Sequence, residues 1–149
     1  MVGFSPAAEH CPVCGGAPNV LKTRCKELVT LAIGPLKARE TIMVCPRDGT
    51  VLVSEELRRL SPAGCKFGFD VLVYVGQALF VRNRGVKEIV QDLSEKNVAI
   101  SEREVGYLGR KFVIYLSLAH VDSRARLKAA MQRRGGYILH IDGTCEGNS

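Results

Sequence analysis

The chain has 149 residues, a net charge of +6 and an apolar content of 46%. That length suits one domain or two small ones, with enough apolar content to bury a core. The positive charge favours an acidic partner, most simply nucleic acid. The start, MVGFSPAAEHCPVCGG, lacks the charged region and apolar core of a signal peptide. The longest apolar run, Val71 to Val81, is interrupted and too short to span a bilayer, so no membrane insertion is expected.

The six cysteines favour metal binding in a reducing cytoplasm over disulfides, because no signal peptide is visible. The segment CPVCGG, from Cys11 to Gly16, has the form of a zinc knuckle. Two thiolates three residues apart on a tight turn can share one tetrahedral ion. The segment CPRDG, from Cys45 to Gly49, has the same frame with a carboxylate in place of the second thiol. The predicted ligands of a structural Zn²⁺ are therefore Cys11, Cys14, Cys45 and Asp48.

Two alternatives to this site remain open. Cys25 is a candidate fourth ligand in place of Asp48, although it lies on a predicted strand, and the site could also have lost its metal. Between the knuckles, Leu28 to Ile33 and Ala38 to Val44 are β-rich and joined by Gly34-Pro35, which predicts a hairpin. Knuckle, strands, knuckle and strand are the layout of a zinc ribbon, which we assign to residues 1–53.

Residues 54–69 are predicted to link this ribbon to a helical domain over residues 70–134. Within the linker, Ser54 to Leu60 predicts a short helix. Asp70 is expected to cap the next helix, Val71 to Arg82. Because that helix is apolar on nearly every side, it should be central and buried, and Gly76 within it should permit close contact between helices.

The stretch from Val86 to Leu118 predicts two helices around a tight turn. Apolar residues recur at helical spacing in its first half, and Asn97 then interrupts the pattern. Ser101 and Glu104 have the spacing of a capping box at the start of a second helix. Two helices joined in this way form the shape of a helix-turn-helix, whose second helix can enter a major groove. An ordinary helical hairpin would show the same pattern.

The basic residues favour a DNA-binding helix-turn-helix over an ordinary helical hairpin. From Ser101 to Arg134 there are eight basic and three acidic residues, so this segment carries +5 of the net +6. Such a concentration on one helix and its successor favours contact with phosphates, although a charged run is also compatible with a solvated face. The predicted DNA-contacting residues are Arg103, Tyr107, Arg110, Lys111, Arg124, Arg126 and Lys128.

The last stretch predicts a β-strand. Gly135-Gly136 ends the helical region, and apolar residues then alternate from Tyr137 to Ile141, with Asp142 at the strand end. A buried strand needs partners in a sheet. Residues 135–149 are therefore predicted to be the first strand of an incomplete further domain.

The order of these parts resembles a known family. A CPVCGG/CPRDG ribbon, a helix-turn-helix, a basic helix and a GGYILHIDGT strand are similar to the N-terminal part of an insertion-sequence transposase of the Asp-Asp-Glu type. The resemblance implies a ribonuclease H-like catalytic domain whose first strand ends in a metal-binding aspartate, which matches Asp142. It also implies two Mg²⁺ ions in the complete enzyme. The second aspartate and the glutamate are missing here, so the chain alone is expected to be inactive.

The expected fold class is α+β: a small β zinc ribbon, an all-α helix-turn-helix domain, and one terminal strand from an incomplete ribonuclease H-like domain. The expected function is binding of double-stranded DNA in the cytoplasm as the N-terminal portion of a transposase, with a homodimer as one arrangement. The alternative is a stand-alone zinc-ribbon and helix-turn-helix transcriptional regulator. A zinc-stabilised interaction module with no role in nucleic-acid binding is a third option.

Overall fold

The computed structural model describes residues 1–136, which form a mixed α+β fold. Within this part of the chain there are four strands and five helices. The strands are β1 (Val2–Phe4), β2 (Asn19–Thr30), β3 (Gly34–Val44) and β4 (Val51–Leu52). The helices are α1 (Glu55–Leu60), α2 (Phe69–Phe80), α3 (Val86–Glu95), α4 (Glu102–Asp122) and α5 (Arg124–Arg133). The chain divides into two compact units, with the boundary inside α4 between Val113 and Ile114.

The sheet of the first unit is built around β3. Strand β2 pairs with it antiparallel from the Thr30↔Gly34 end to the Asn19↔Val44 end. On the other side, β1 runs parallel to β3 and β4 pairs antiparallel near its end. The sequence did not predict β1, because three residues are too few to show a period. The CPVC turn precedes β2 and the CPRD turn follows β3. Because β2 and β3 are antiparallel, both turns lie at the same end of the β2–β3 hairpin.

The β2–β3 hairpin was predicted, but its turn lies earlier than the sequence suggested. Gly34 and Pro35 are the first residues of β3, and the turn is formed by residues 31–33. Asp70 explains the shift, because its carboxylate accepts hydrogen bonds from the amides of Leu31 at 2.8 Å and Ala32 at 3.3 Å. The prediction that Asp70 caps α2 was wrong. Gly68 is the N-cap residue of that helix, and the carboxylate instead stabilises a turn elsewhere in the chain.

Residues 54–69, expected to form a linker, contain α1 and pack against the sheet. Leu57 of α1 joins Phe4, Leu28 and Ala38 in one buried apolar cluster. The hydroxyl of Ser54 caps α1 by accepting a hydrogen bond from the Leu57 amide. This segment is therefore part of the folded body of the first unit.

Helix α2 was expected to be buried but buries one face only: Val71, Leu72 and Val75 are in the core, whereas Val73 and Phe80 are exposed. Two glycines bring it close to α4. The ring of Phe112 lies over Gly76, so that a Cβ atom at this position would overlap the ring. A Cβ at Gly109 of α4 would in turn come within 2.8 Å of a Leu79 methyl on α2. Each helix therefore offers a glycine to a large side chain of the other, and the prediction that Gly76 permits close contact is confirmed.

Helices α3 and α4 are joined by the turn that the sequence predicted. The fully buried residues Ile89, Leu93, Val98, Val105 and Leu108 line it. Asn97 adopts a left-handed backbone conformation with φ of 59°, which ends α3. The connection covers residues 96–101 and is longer than the turn of three or four residues typical of a helix-turn-helix.

The capping box at the start of α4 is present. The Glu104 carboxylate accepts from the Ser101 amide at 2.8 Å, while the Ser101 hydroxyl accepts from the Glu104 amide at 3.3 Å. Lys66 also forms an ion pair with Glu104 at 2.6 Å. The first turn of α4 is therefore attached to the loop that precedes α2.

The second unit begins with the latter half of α4, which continues to Asp122 and beyond the expected end at Leu118. Several of its apolar side chains are exposed. Ile114, Leu116 and Val121 are all more than half exposed. None of the helices in residues 1–136 is both long enough and apolar enough to cross a membrane.

Candidate metal centre and nucleic-acid interface

The four predicted zinc ligands lie together in the structure. The sulfur atoms of Cys11, Cys14 and Cys45 and a carboxylate oxygen of Asp48 are all within 4.8 Å of one another. The Cys11 Sγ lies 3.2 Å from the carboxylate, and the Cys14 and Cys45 sulfurs are 3.3 Å apart. A tetrahedral ion with Zn–S bonds of about 2.3 Å would need ligand separations of about 3.8 Å, within the range of this cluster.

Two matching turns bring these ligands together. In the first, the Gly15 amide donates to the Cys11 carbonyl at 2.9 Å, and in the second the Gly49 amide donates to the Cys45 carbonyl at 2.9 Å. Both glycines have a positive φ, 70° at Gly15 and 73° at Gly49, which other residues adopt only with strain. The turns are therefore equivalent, and Asp48 occupies the position that Cys14 has in the first turn.

The electrostatics of the cluster favour a bound cation. The Gly16 amide lowers the pKa of Cys14, but the nearby Cys45 thiol and Asp48 carboxylate outweigh it and raise that pKa to about 12. Hydrogen bonds from Thr50 hold the pKa of Asp48 well below its usual range. A carboxylate that stays ionised thus makes it difficult to ionise the adjacent thiol. A divalent cation would relieve this repulsion by binding the thiolates directly.

The alternative ligand Cys25 is excluded from the cluster. It is exposed on β2 opposite Arg39 and does not belong to the group of four. Three thiolates and one carboxylate are a donor set suited to Zn²⁺, and four protein ligands leave no open position for a substrate. The four residues are close enough to hold a metal ion, and their arrangement is compatible with structural zinc. Arg47 packs across Gly16 beside it, at 3.3 Å from where a Cβ would stand, and places a positive charge near the thiolates.

The predicted DNA-contacting residues of α4 share its outer face. At 3.6 residues per turn, Arg103, Tyr107 and Arg110 lie within about 60° of one another around the helix axis. All three are exposed. They stand opposite the buried residues Val105 and Leu108. This face is therefore open to solvent and is carried by a helix whose other face is anchored in the core.

Lys111 lies at the edge of the same face. Its ammonium group is 5.2 Å from the centre of the Tyr107 ring, a cation–π distance. The contact brings a basic and an aromatic group together beside Arg103 and Arg110. Such a combination can meet both phosphates and base edges.

The remaining predicted residues lie elsewhere. Arg124, Arg126 and Lys128 are exposed on α5 in the second unit. Asp142, the predicted catalytic residue, lies outside the described residues, as does the strand predicted for residues 137–142.

A cluster of charged residues on the inner face of the sheet was not predicted. Arg24, Lys26 and Glu40 point to the same side of the β2–β3 hairpin as the buried Leu28 and Ala38. Glu40 is only 2% exposed and is held by Arg24 at 2.7 Å. The alternation Arg24, Lys26, Leu28 was the available signal, but it precedes Leu28, where the strand was expected to begin. Strand β2 in fact begins at Asn19.

Comparisons with known protein families, with curated proteins and with solved structures find no match to this chain. What this chain can do therefore follows from its own side chains and their geometry.

Proposed function

We propose that this chain is a DNA-binding module, in which a zinc-stabilised ribbon supports a helical domain that presents α4 to duplex DNA. The observation that supports the proposal most directly is the outer face of α4. There Arg103, Tyr107 and Arg110 are exposed together, while the opposite face of the helix is buried. A helix supported in this way can enter a major groove without losing its contacts to the core.

Each residue of this face has a chemical role in the proposal. An arginine can donate two hydrogen bonds to the O6 and N7 atoms of guanine, so Arg103 and Arg110 are the candidates for base contacts. Lys111, a point charge at the edge of the face, suits a phosphate. The basic residues of α5 would add phosphate contacts, which strengthen binding without selecting a sequence.

The metal has a structural role. Cys11, Cys14, Cys45 and Asp48 would hold Zn²⁺, which crosslinks the two turns at the end of the hairpin and supplies no reaction chemistry. Structural zinc contributes on the order of 10 kcal/mol to the folding of small domains at neutral pH. We infer that the ribbon depends on this ion for much of its stability.

Assignment to the N-terminal part of a transposase rests on the motif resemblance alone. A reading frame that continues beyond Ser149 and encodes a second strand-end aspartate and a later helical glutamate would support this assignment. A transcriptional regulator with the same two domains is the second candidate, favoured equally by the face of α4. The two candidates share the DNA-binding property tested below.

The proposed function is tested by fluorescence anisotropy of a labelled mixed-sequence duplex at low salt. We expect the zinc-loaded chain to bind, with an affinity that falls linearly with log salt concentration. The double substitution R103A/R110A should weaken binding at least tenfold. The matched control K37A/R39A removes the same charge from the exposed outer side of β3 and should leave most of the affinity.

Absence of duplex binding by the zinc-loaded chain at low salt would refute the proposal. Equal losses in the two double variants would show that net charge, and not the face of α4, determines affinity. Circular dichroism of both variants separates lost contacts from lost folding.

A further inference from the structure

A cleft in the first unit carries an excess of positive charge beside the sheet. It has a volume of about 560 Å³ and lies between β2, β3, α1 and the loop that follows α1. Its charged lining residues are four cations and two acids: Arg24, Lys26, Arg58, Lys66, Glu27 and Glu40. A cleft lined mainly by cations concentrates anions, because low-dielectric walls focus the field within it.

The acids near the cleft neutralise only part of this charge. Glu40 is held by Arg24, and Glu104 from α4 forms the ion pair with Lys66. Lys26 donates instead to a neutral group, the buried Ser61 hydroxyl, at 2.6 Å. Within residues 1–136, Arg58 forms no ion pair. Among the described residues, Lys26 and Arg58 are thus left for a ligand, beside one lining carboxylate that forms no ion pair, Glu27.

The hydrogen-bonding groups in the cleft suit a tetrahedral oxyanion. Lys26 and Arg58 supply charged donors, and the Ser61 hydroxyl supplies a neutral one at the base of the cleft. Burial lowers the pKa of Lys26, as does the nearby Arg24. An anion bound by Lys26 would offset both of these effects on its charged form.

We propose that this cleft binds a phosphate group through Lys26, Arg58 and Ser61. The source suggested by its position is the DNA backbone, and this part of the inference rests on the proposed function. Lys66 lines the cleft and pairs with Glu104 in the first turn of α4. The cleft therefore adjoins the end of α4 that carries Arg103. A phosphate held there would fix the register of α4 on the duplex.

The DNA source is tested by the salt dependence of duplex affinity in two matched variants. Arg58 and Arg59 are adjacent, exposed residues of α1, but only Arg58 lines the cleft. We expect R58A to reduce the magnitude of the log–log salt slope by about 0.9, the value for one phosphate contact, and R59A to leave it unchanged. K26M, which keeps most of the aliphatic stem, should reduce the slope in the same way.

Free phosphate is tested separately by titrating inorganic phosphate, without DNA, into the zinc-loaded chain at constant ionic strength. The amide resonances of Ala63, Gly64 and Cys65, which line the cleft, should shift with saturation in the wild type and in R59A but not in R58A. A shift together with the slope change identifies the DNA backbone as the source. A shift without the slope change identifies a free phosphate or a small phosphorylated ligand, and the slope change alone identifies a site that needs the duplex.

The proposal is overturned if R58A and K26M change neither the salt slope nor the phosphate titration. This outcome is distinct from failure of the proposed function. If the wild type binds no duplex, the phosphate titration still decides whether the cleft is an anion site. If the wild type binds duplex but the variants change neither the salt slope nor the phosphate titration, the face of α4 binds DNA without help from the cleft.

Discussion

The aromatic ring of Phe112 rests directly on Gly76, with no room for a side chain between them. This contact determines how closely α2 and α4 approach each other, and thereby the position of the outer face of α4. A glycine in a helix interior costs about 1 kcal/mol relative to alanine, so its presence in the central helix indicates a steric requirement.

The substitution G76A should therefore destabilise the chain by about 1 to 3 kcal/mol, because the added methyl group must displace the Phe112 ring. Gly106 on α4 provides a matched control, since a Cβ there would meet no atom within 4 Å. G106A should stabilise the chain by up to about 1 kcal/mol through helix propensity alone. Urea unfolding of the zinc-loaded protein measures both. If the two changes have the same sign, α2 and α4 are not packed in this way.

Ser101 and Glu104 should contribute to stability through the capping box. We expect S101A to lower the free energy of unfolding by about 1 kcal/mol, because the Glu104 amide loses its acceptor. The matched control S94A removes an exposed hydroxyl from α3 and should have an effect of less than about 0.5 kcal/mol. An equal effect of both substitutions would contradict a specific role for the cap.

Glu104 should also make stability depend on pH. Burial alone would raise its pKa, but hydrogen bonds from Lys66 and Ser101 outweigh burial and lower the pKa below its ordinary value. A carboxyl whose folded pKa is lowered stabilises the fold above its unfolded pKa, and this contribution is lost as pH falls through the folded pKa. The wild type should thus lose stability relative to E104Q as pH falls below about 4.3. Urea unfolding of both proteins at a series of pH values tests this, and parallel profiles would contradict it.

The metal centre should bind one Zn²⁺ or Co²⁺ per chain through three thiolates and one carboxylate. C14S should lose tight binding, whereas C25S should retain it, because Cys25 lies outside the cluster. Atomic absorption after dialysis measures the stoichiometry, and the thiolate-to-cobalt charge-transfer band reports the ligands. Retention of the metal by C14S, or its loss in C25S, would refute the assigned ligands.

The equivalence of the two turns leads to a prediction for Asp48. D48C should convert the site to four thiolates, increase the charge-transfer absorbance of the cobalt form and bind metal more tightly, because softer ligands suit these ions. D48A should lower the affinity instead. An unchanged cobalt spectrum in D48C would show that residue 48 does not coordinate the metal.

Metal affinity should fall as pH falls. Three thiols must lose their protons to become ligands, and the raised pKa of Cys14, about 12, makes at least one of them protonated at neutral pH before the metal binds. Competition with a chelator at several pH values around neutrality gives the number of protons released on binding. A pH-independent affinity would exclude thiolate ligation.

Parts of this structure follow from local sequence signals. The two turns were predictable because CPVCG and CPRDG are each only five residues long. The interruption at Asn97 and the Ser101–Glu104 capping box were predictable for the same reason, since both are local. Helix α2 was evident from its uniform apolar character. The proximity of Cys11, Cys14, Cys45 and Asp48 could be predicted because the repeated frame places Asp48 where the first turn has Cys14. The choice between Asp48 and Cys25 needed the structure.

The remaining features depend on contacts between distant residues. The polar first half of β2 gives no strand signal, because its pairing is determined by β3 and not by its own composition. The cleft could not be predicted, because it depends on the strand register that places Arg24 opposite Glu40. The role of Asp70 was mistaken for the same reason: a carboxylate before an apolar helix suggests a cap, and the competing amides of Leu31 and Ala32 lie 39 and 38 residues earlier.

The Asp70 contact also has a consequence for how the chain folds. The hairpin turn at residues 31–33 has two amides whose acceptor arrives only after the polypeptide has been extended through α1 and into α2. Closing so long a loop is entropically costly and slows folding in proteins rich in non-local pairings. The two hydrogen bonds at the tip of the β2–β3 hairpin can therefore form only after residue 70 has left the ribosome, whereas the pairing of β2 with β3 needs no residue beyond Val44.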